Sequence, residues 1–202
     1  MKDEAGRTGD SETWTEREYA DPAPYLRHRA ELIRSLGPPL EDGDRLVDLA
    51  SGDGGLADFL PGIEYLGVDT DPQMVEEAAS KGRTIAHADL NDFTPDRPVA
   101  AATLFRALYY ARDRRSFFRH AAGYTTKKVV FDLNPRQYRV DDLLDELRDA
   151  GWASVSLRPF FVPQTHALPG PLGAALVLAE RSGPAARLAL RFRFTYLVAA
   201  WR

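Results

Sequence analysis

The chain reads as an α/β protein with a doubly wound, mostly parallel sheet of seven strands and helices on both faces. Three observations predict this. Strand-length apolar runs alternate with segments of helical periodicity along most of the 202 residues, a pattern that calls for right-handed crossover units. The run from Val99 to Phe105 is almost continuously apolar and built from small residues, as a strand covered on both faces requires. Finally, Leu46-Val47-Asp48-Leu49-Ala50-Ser51-Gly52-Asp53-Gly54-Gly55-Leu56-Ala57 is an apolar run that meets a glycine cluster and then an amphipathic start. That is a strand, a tight turn and a helix N-terminus.

The elements follow in order. Residues 1–13 are polar and charged, the composition of a disordered leader, which leaves 14–202 as one domain. From Tyr19 to Leu36 the residues Tyr25, Leu26, Ala30, Ile33 and Leu36 recur at helical spacing until Gly37-Pro38-Pro39 ends the pattern. The first strand spans about 45–50, and a short helix after it stops at Pro61-Gly62. The second strand is about 64–68. A helix runs from Pro72 to about Lys81, with Asp71 as N-cap and Gly82 as terminator. Short third and longer fourth strands cover about 84–87 and 99–105, and Asp113 opens a helix to about Tyr124. Lys128 to Leu133 is the fifth strand. Val140 to Ala150 is a helix with Leu143, Leu144 and Leu147 on one face. Val155 to Val162 alternates as a sixth strand, Pro163 to Gly170 is a loop, and 171–182 is a small amphipathic helix. The last strand, Leu190 to Trp201, carries Leu190, Phe192, Phe194 and Tyr196 on one face.

Composition narrows the function. A net charge of −4 argues against a nucleic-acid partner, which needs a concentrated basic face. The basic runs Arg112 to Arg115 and Arg187 to Arg193 are interrupted by acids or apolar residues and read as solvated faces. There is no cysteine, and His28, His87, His120 and His166 have no metal-ligand spacing, so no metal is expected. No apolar run approaches membrane-spanning length and the N-terminus is unlike a secretory signal, so a cytoplasmic location and no membrane partner are expected.

The chemistry concentrates at the glycine turn and the strand after it. Gly52 and Gly54 allow close backbone approach to a ligand, and Tyr65-Leu66-Gly67-Val68-Asp69-Thr70-Asp71 is an apolar strand ending in acids. A glycine turn followed by an acid at the next strand end is a nucleoside-binding arrangement, since a carboxylate can accept both ribose hydroxyls. Gly52-x-Gly54-x-x-Ala57 also fits the loose dinucleotide fingerprint, so an NAD(P)-dependent oxidoreductase is a rival. Asp48 within the first strand, and a helical segment ahead of the motif, weigh against that rival.

Asp48, Ala50, Gly52 and Gly54, at alternate positions, resemble motif I of the class I S-adenosyl-L-methionine (SAM)-dependent methyltransferases, with Ala50 in place of the first glycine. Val68-Asp69-Thr70-Asp71-Pro72-Gln73-Met74 is similar to the segment that follows in the family, and Ala88-Asp89-Leu90-Asn91-Asp92 to the third element. The resemblance runs from about Tyr25 to the C-terminus and implies an antiparallel last strand. It implies SAM as cofactor, with Asp69 at the ribose beside Thr70, Met74 near the adenine, and Asp89 with Leu90 at its amino group. Asp48, Ala50, Ser51 and Gly52 would then hold the amino-acid end, the loop by backbone contacts, with Phe105 on the same rim. In the family an N-terminal helix, here about 19–36, often folds over the cofactor. Tyr25 could face the sulfonium there and Arg29 pair with the carboxylate.

Methyl transfer is an in-line displacement on an activated carbon, so alignment can supply most of the rate. Arg106 and Tyr109, after the fourth strand, are expected nearest the transferred methyl, and His166 is the candidate general base. The family's amino-methylating variants carry Asn- or Asp-Pro-Pro-aromatic there. Leu104-Phe105-Arg106-Ala107 departs from it, which disfavours nucleobase amines and glutamine amides. The insertion at about 163–188 is a candidate substrate lid, with Phe160, Phe161, Leu168, Leu172 and Leu176 near an apolar acceptor pocket. Its helix could equally form a homodimer contact. The expectation is methyl transfer to a small, partly hydrophobic molecule, with oxygen favoured. A non-catalytic SAM-fold binding protein, docking a partner through 171–182, is the alternative from another class.

Overall fold

A computed structural model describes residues 12–184, 188, 191 and 194–202. Residues 1–11 of the expected leader, Leu190 and Phe192 of the expected last strand, and Arg187 and Arg193 lie outside the described residues.

Seven strands form one sheet: β1 (Arg45–Leu49), β2 (Glu64–Asp69), β3 (Ile85–His87), β4 (Val99–Leu104), β5 (Thr125–Leu133), β6 (Ser154–Pro159) and β7 (Tyr196–Trp201). Their order is β3-β2-β1-β4-β5-β7-β6. The pairs from β3 to β5 are parallel, and β7 runs antiparallel between β5 and β6. The chain reverses its direction of winding between β1 and β4, so a crevice opens beyond their carboxyl ends.

Parallel strands need cover on both faces, and each inner strand feeds two core layers. Along β7, Tyr196, Val198 and Ala200 join one layer and Leu197 and Ala199 the other. The first layer holds Phe117, Phe118, Leu147 and Trp152, and the second Leu26, Ile33 and Leu36. All of β4 is buried, which its alanines permit by letting helices approach closely. Lys128 is fully buried in β5 and donates to Leu36 O at 2.7 Å. A cation there caps carbonyls left open at the end of a helix. Burial lowers the Lys128 pKa to about 8.

Among the described residues the helices include α1 (Trp14–Glu18), α2 (Pro22–Ser35), α3 (Pro72–Ser80), α4 (Arg114–Tyr124), α5 (Val140–Asp149) and α6 (Gly170–Glu180). The helix expected over about 19–36 begins later, and a separate α1 precedes it. Pro22 explains the break: a residue before proline is driven out of the helical region, and Asp21 is extended at φ −146°. Thr13, placed in the leader by composition, is buried and closes a capping box with Glu16 at the start of α1. The expected short helix after β1 is a single 3₁₀ stretch, Gly55–Phe59.

The expected amphipathic helix at 171–182 is corrected. Gly170–Glu180 has no polar face: Leu172 and Leu178 are exposed, while its one charged residue, Glu180, is buried. Glu180 accepts the Phe161 N–H at 2.6 Å and lies 2.6 Å from His28 Nε2. That bond ties α6 to α2.

Candidate active site

Three left-handed residues in alternation, Ala50 (φ 54°), Gly52 (φ 58°) and Gly54 (φ 69°), turn the chain after β1. A non-glycine residue held there stores strain, a mark of functional turns. Arg106, just after β4, is left-handed too, at φ 55°. The two strained residues sit beyond the adjacent strand ends that flank the reversal point.

Hydrogen bonds then weld the turn to its neighbours. Asp69 accepts the Gly52 N–H at 2.8 Å and the Asp71 N–H at 3.0 Å, joining the turns after β1 and β2. Asp48 is buried and accepts from Thr103 Oγ1 at 2.6 Å and Tyr65 OH at 2.8 Å, so one carboxylate ties β1 to β4 and β2. Burial pushes its pKa up against those two bonds. Asp53, to which the sequence reading gave no role, is fully buried. It accepts the Gly55 and Thr15 N–H groups at 3.2 Å each and the Thr15 hydroxyl, and pairs with Arg83 at 3.3 Å. An acid between two glycines was the available signal. Its carboxylate straps α1 across the turn. The Trp14 ring then lies against Gly52, where a Cβ would approach it to 2.8 Å.

A cleft of about 580 Å³ opens over this turn. Arg29, Asp48, Ala50, Ser51, Gly52, Asp69, Thr70, Met74, Asp89, Leu90 and Phe105 all line it, together with Trp14 and Arg112. Two expectations about its walls change. Backbone donors of the turn are spent inside the protein: Ser51 N–H on Val68 O, Gly52 N–H on Asp69, Gly54 N–H on Ser51 O and Gly55 N–H on Asp53. Arg112, read as part of a solvated face, pairs with Asp89 at 2.6 Å on the rim. The Asn91 N–H and side-chain amide, with that arginine, hold the Asp89 carboxyl below the usual carboxylate range.

Tyr25 is the exception among the expected cofactor residues. It packs on Tyr19 and Phe160, and lines a second cavity instead. Its hydroxyl accepts from Arg29 Nη2 at 2.5 Å. Arg29 itself is buried, not solvated, with its guanidinium 4.2 Å from the Phe105 ring centre and 4.7 Å from that of Tyr25. Its Nε has no hydrogen-bond partner, and no carboxylate lies within ion-pair distance of it among the described residues.

The second cavity, about 520 Å³, adjoins the first across Arg106, Ala107 and Tyr109. The Arg106 N–H donates to Asp132 Oδ1 at 2.7 Å, and its Nη2 to Glu18 Oε1 at 2.7 Å. Gln164 Nε2 donates to the same Glu18 oxygen at 3.1 Å, so α1 meets the loop before α6 at this wall. Phe160 and Phe161 line the cavity as expected, but Leu168, Leu172 and Leu176 do not. His166 reaches neither cavity. It is exposed and bonded to its neighbour, Thr165 Oγ1 to Nδ1 at 2.9 Å.

No protein-family model matches the chain, and no curated protein is similar to it in sequence. Solved structures are similar in fold. A chain in the complex of the Haloferax volcanii Trm112 methyltransferase activator with a candidate methyltransferase is 20% identical at TM-score 0.63, over 89% of this chain and 90% of that one. A SAM-dependent methyltransferase from Clostridium acetobutylicum is 13% identical at TM-score 0.63, over 92% and 93%. The magnesium protoporphyrin IX methyltransferase of Synechocystis PCC 6803, solved with bound SAM, is 15% identical at TM-score 0.59, over 96% and 86%. The fold is that of the class I SAM-dependent methyltransferases.

Proposed function

We propose that the protein is a SAM-dependent methyltransferase, with SAM in the cleft over the glycine turn and a small, partly apolar acceptor in the adjoining cavity. One observation carries the cofactor reading. Arg29 is a buried cation with no carboxylate at ion-pair distance among the described residues, Asp132 and Asp48 acting on it only from farther off, and it lines the same cleft as Asp48, Asp69 and Asp89. A buried unpaired charge is costly, and a ligand carboxylate would offset that cost. SAM offers a carboxylate for Arg29, ribose hydroxyls for Asp69 and an adenine amino group for Asp89. Asp89 follows β3 and Asp69 closes the neighbouring β2, so these two acids lie along adjacent strand ends, which supports the reading. Met74 and Leu90 would enclose the adenine, and Thr70 and Phe105 flank it and the methionine chain. When bound, SAM supplies a methyl carbon already activated by its sulfonium charge.

The rival dinucleotide reading loses support at the same turn. A pyrophosphate needs free backbone donors at a helix N-terminus. Here the Asp53 carboxylate occupies the Gly55 N–H, and the helix is a single 3₁₀ stretch. Arg106 and Tyr109, on the wall shared by both cavities, would position the acceptor against the methyl. With His166 remote, no base from that loop is invoked. Transfer to oxygen draws no support from the cavity walls.

Titration calorimetry with S-adenosylhomocysteine tests the reading. Binding is expected, with Asp69→Ala weakening it about tenfold to a hundredfold, the effect of one charged hydrogen-bond acceptor. No heat at millimolar ligand, alongside tight NADH binding, would overturn it.

A further inference from the structure

We propose that the acceptor is an amine: the second cavity takes up its ammonium form, on an aromatic or apolar body, with Asp132 as the counter-charge and as the acceptor of the proton that the nitrogen must lose before its lone pair can take the methyl; that proton passes to solvent when the product leaves. The inference rests on the cleft reading above and names the class of molecule that the neighbouring cavity takes.

Charge balance points this way. Among the described residues lining the cavity, Asp132 is the sole carboxylate and Arg106 the sole cation. Arg106 is already neutralised by Glu18 at 2.7 Å. Asp132 has no cation within ion-pair distance among the described residues: Oδ1 accepts one backbone N–H, Oδ2 has no hydrogen-bond partner there, and the Arg29 guanidinium acts on it only from farther off. One lining carboxylate, near the end of β5, therefore keeps an oxygen without a hydrogen-bond donor among the described residues. Burial holds that carboxyl above its ordinary range, against the Arg29 guanidinium and the Arg106 N–H. A cation seated beside Oδ2 would offset that desolvation.

The walls suit the same group. Tyr25, Tyr109, Tyr138, Phe160, Phe161 and Phe194 line the same cavity as the acid. Aromatic faces carry negative potential and attract cations, most strongly where water is excluded. An anionic acceptor would meet both the carboxylate and those faces, and a neutral alcohol would leave the carboxylate without a charged partner. Ammonium on an apolar body satisfies every wall at once. The tetrapeptide missing after β4 handles planar amides and nucleobase amines, so its absence leaves an aliphatic amine open.

Asp132 also has a structural duty, since its Oδ1 holds the left-handed Arg106. Asp132→Asn separates the two, because an amide oxygen can accept the same N–H. The probes are 2-phenylethylamine, 2-phenylethanol and 3-phenylpropanoate, titrated into the protein alone at pH 7. The wild type should bind the ammonium at least about tenfold more tightly than the alcohol, with the carboxylate weakest. In Asp132→Asn the amine should fall to within about twofold of the alcohol. Equal or tighter binding of the alcohol by the wild type would overturn the proposal. So would a preference for the amine that survives Asp132→Asn, or no binding of any probe at millimolar concentration. The wild-type ranking decides even if the variant does not fold. A failed titration with S-adenosylhomocysteine would refute the cleft reading alone.

Discussion

Arg29 shows how much one side chain can say when its accounts do not close. Its guanidinium lies over the rings of Phe105, Tyr25 and Phe160, its Nη2 is satisfied by Tyr25, and its Nε is left without a partner. Folding has desolvated a cation and left Asp132 and Asp48 to act on it only from beyond ion-pair distance, an arrangement that a ligand carboxylate would complete. Arg29→Met keeps the volume and removes the charge. S-adenosylhomocysteine should then bind about tenfold to a hundredfold more weakly, while methylthioadenosine, which lacks the amino-acid end, should stay within about twofold. Equal losses for both nucleosides would show that Arg29 shapes the cleft and does not hold the carboxylate. Tyr25 sits one turn away on α2 and points elsewhere. Helical spacing placed both residues on the correct helix, yet it does not reveal that Tyr19 and Phe160 pack on the Tyr25 ring, which lines the second cavity.

At the scale of elements, legibility followed sequence distance. The turn after β1 and the acids after β2 and β3 were readable because their geometry is local: strand, glycines, strand end. Asp132 was not. An acid closing a strand gains meaning only when β7, α2 and the loop after β6 enclose it, and those are distant in sequence. The break between α1 and α2 had a signal in Pro22, which helical spacing overrode. The character of α6 was misread because apolar spacing was counted without asking what polar residues would fill the other face. That helix now hangs on Glu180. Glu180→Ala removes the acceptor for both the Phe161 N–H and His28, so α6 should exchange its amide hydrogens and be cleaved by protease at least tenfold faster, with little change in β1 or β4. Protection unchanged in α6 would mean that other packing holds it.

Over the whole molecule, the central strands are covered on both faces, and the price of that cover is visible at Lys128. Its ammonium is buried against the end of α2, with a pKa lowered from 10.5 to about 8 by desolvation. Between those two values the unfolded chain holds a proton that the folded chain has released. Stability contributed by this group should therefore rise from about pH 8 to about 10.5, and be lost as pH falls through 8. Chemical denaturation across that range checks it: Lys128→Met should flatten the rise, and an unchanged slope would show that other groups produce it.

The short stretch from Arg106 to Tyr109 is a party wall between two rooms. Trimming Arg106 or Tyr109 enlarges both at once, so a variant there should show poorer saturation by methyl donor and methyl acceptor together. Such a double loss would be plain carpentry, with no message passed across the protein.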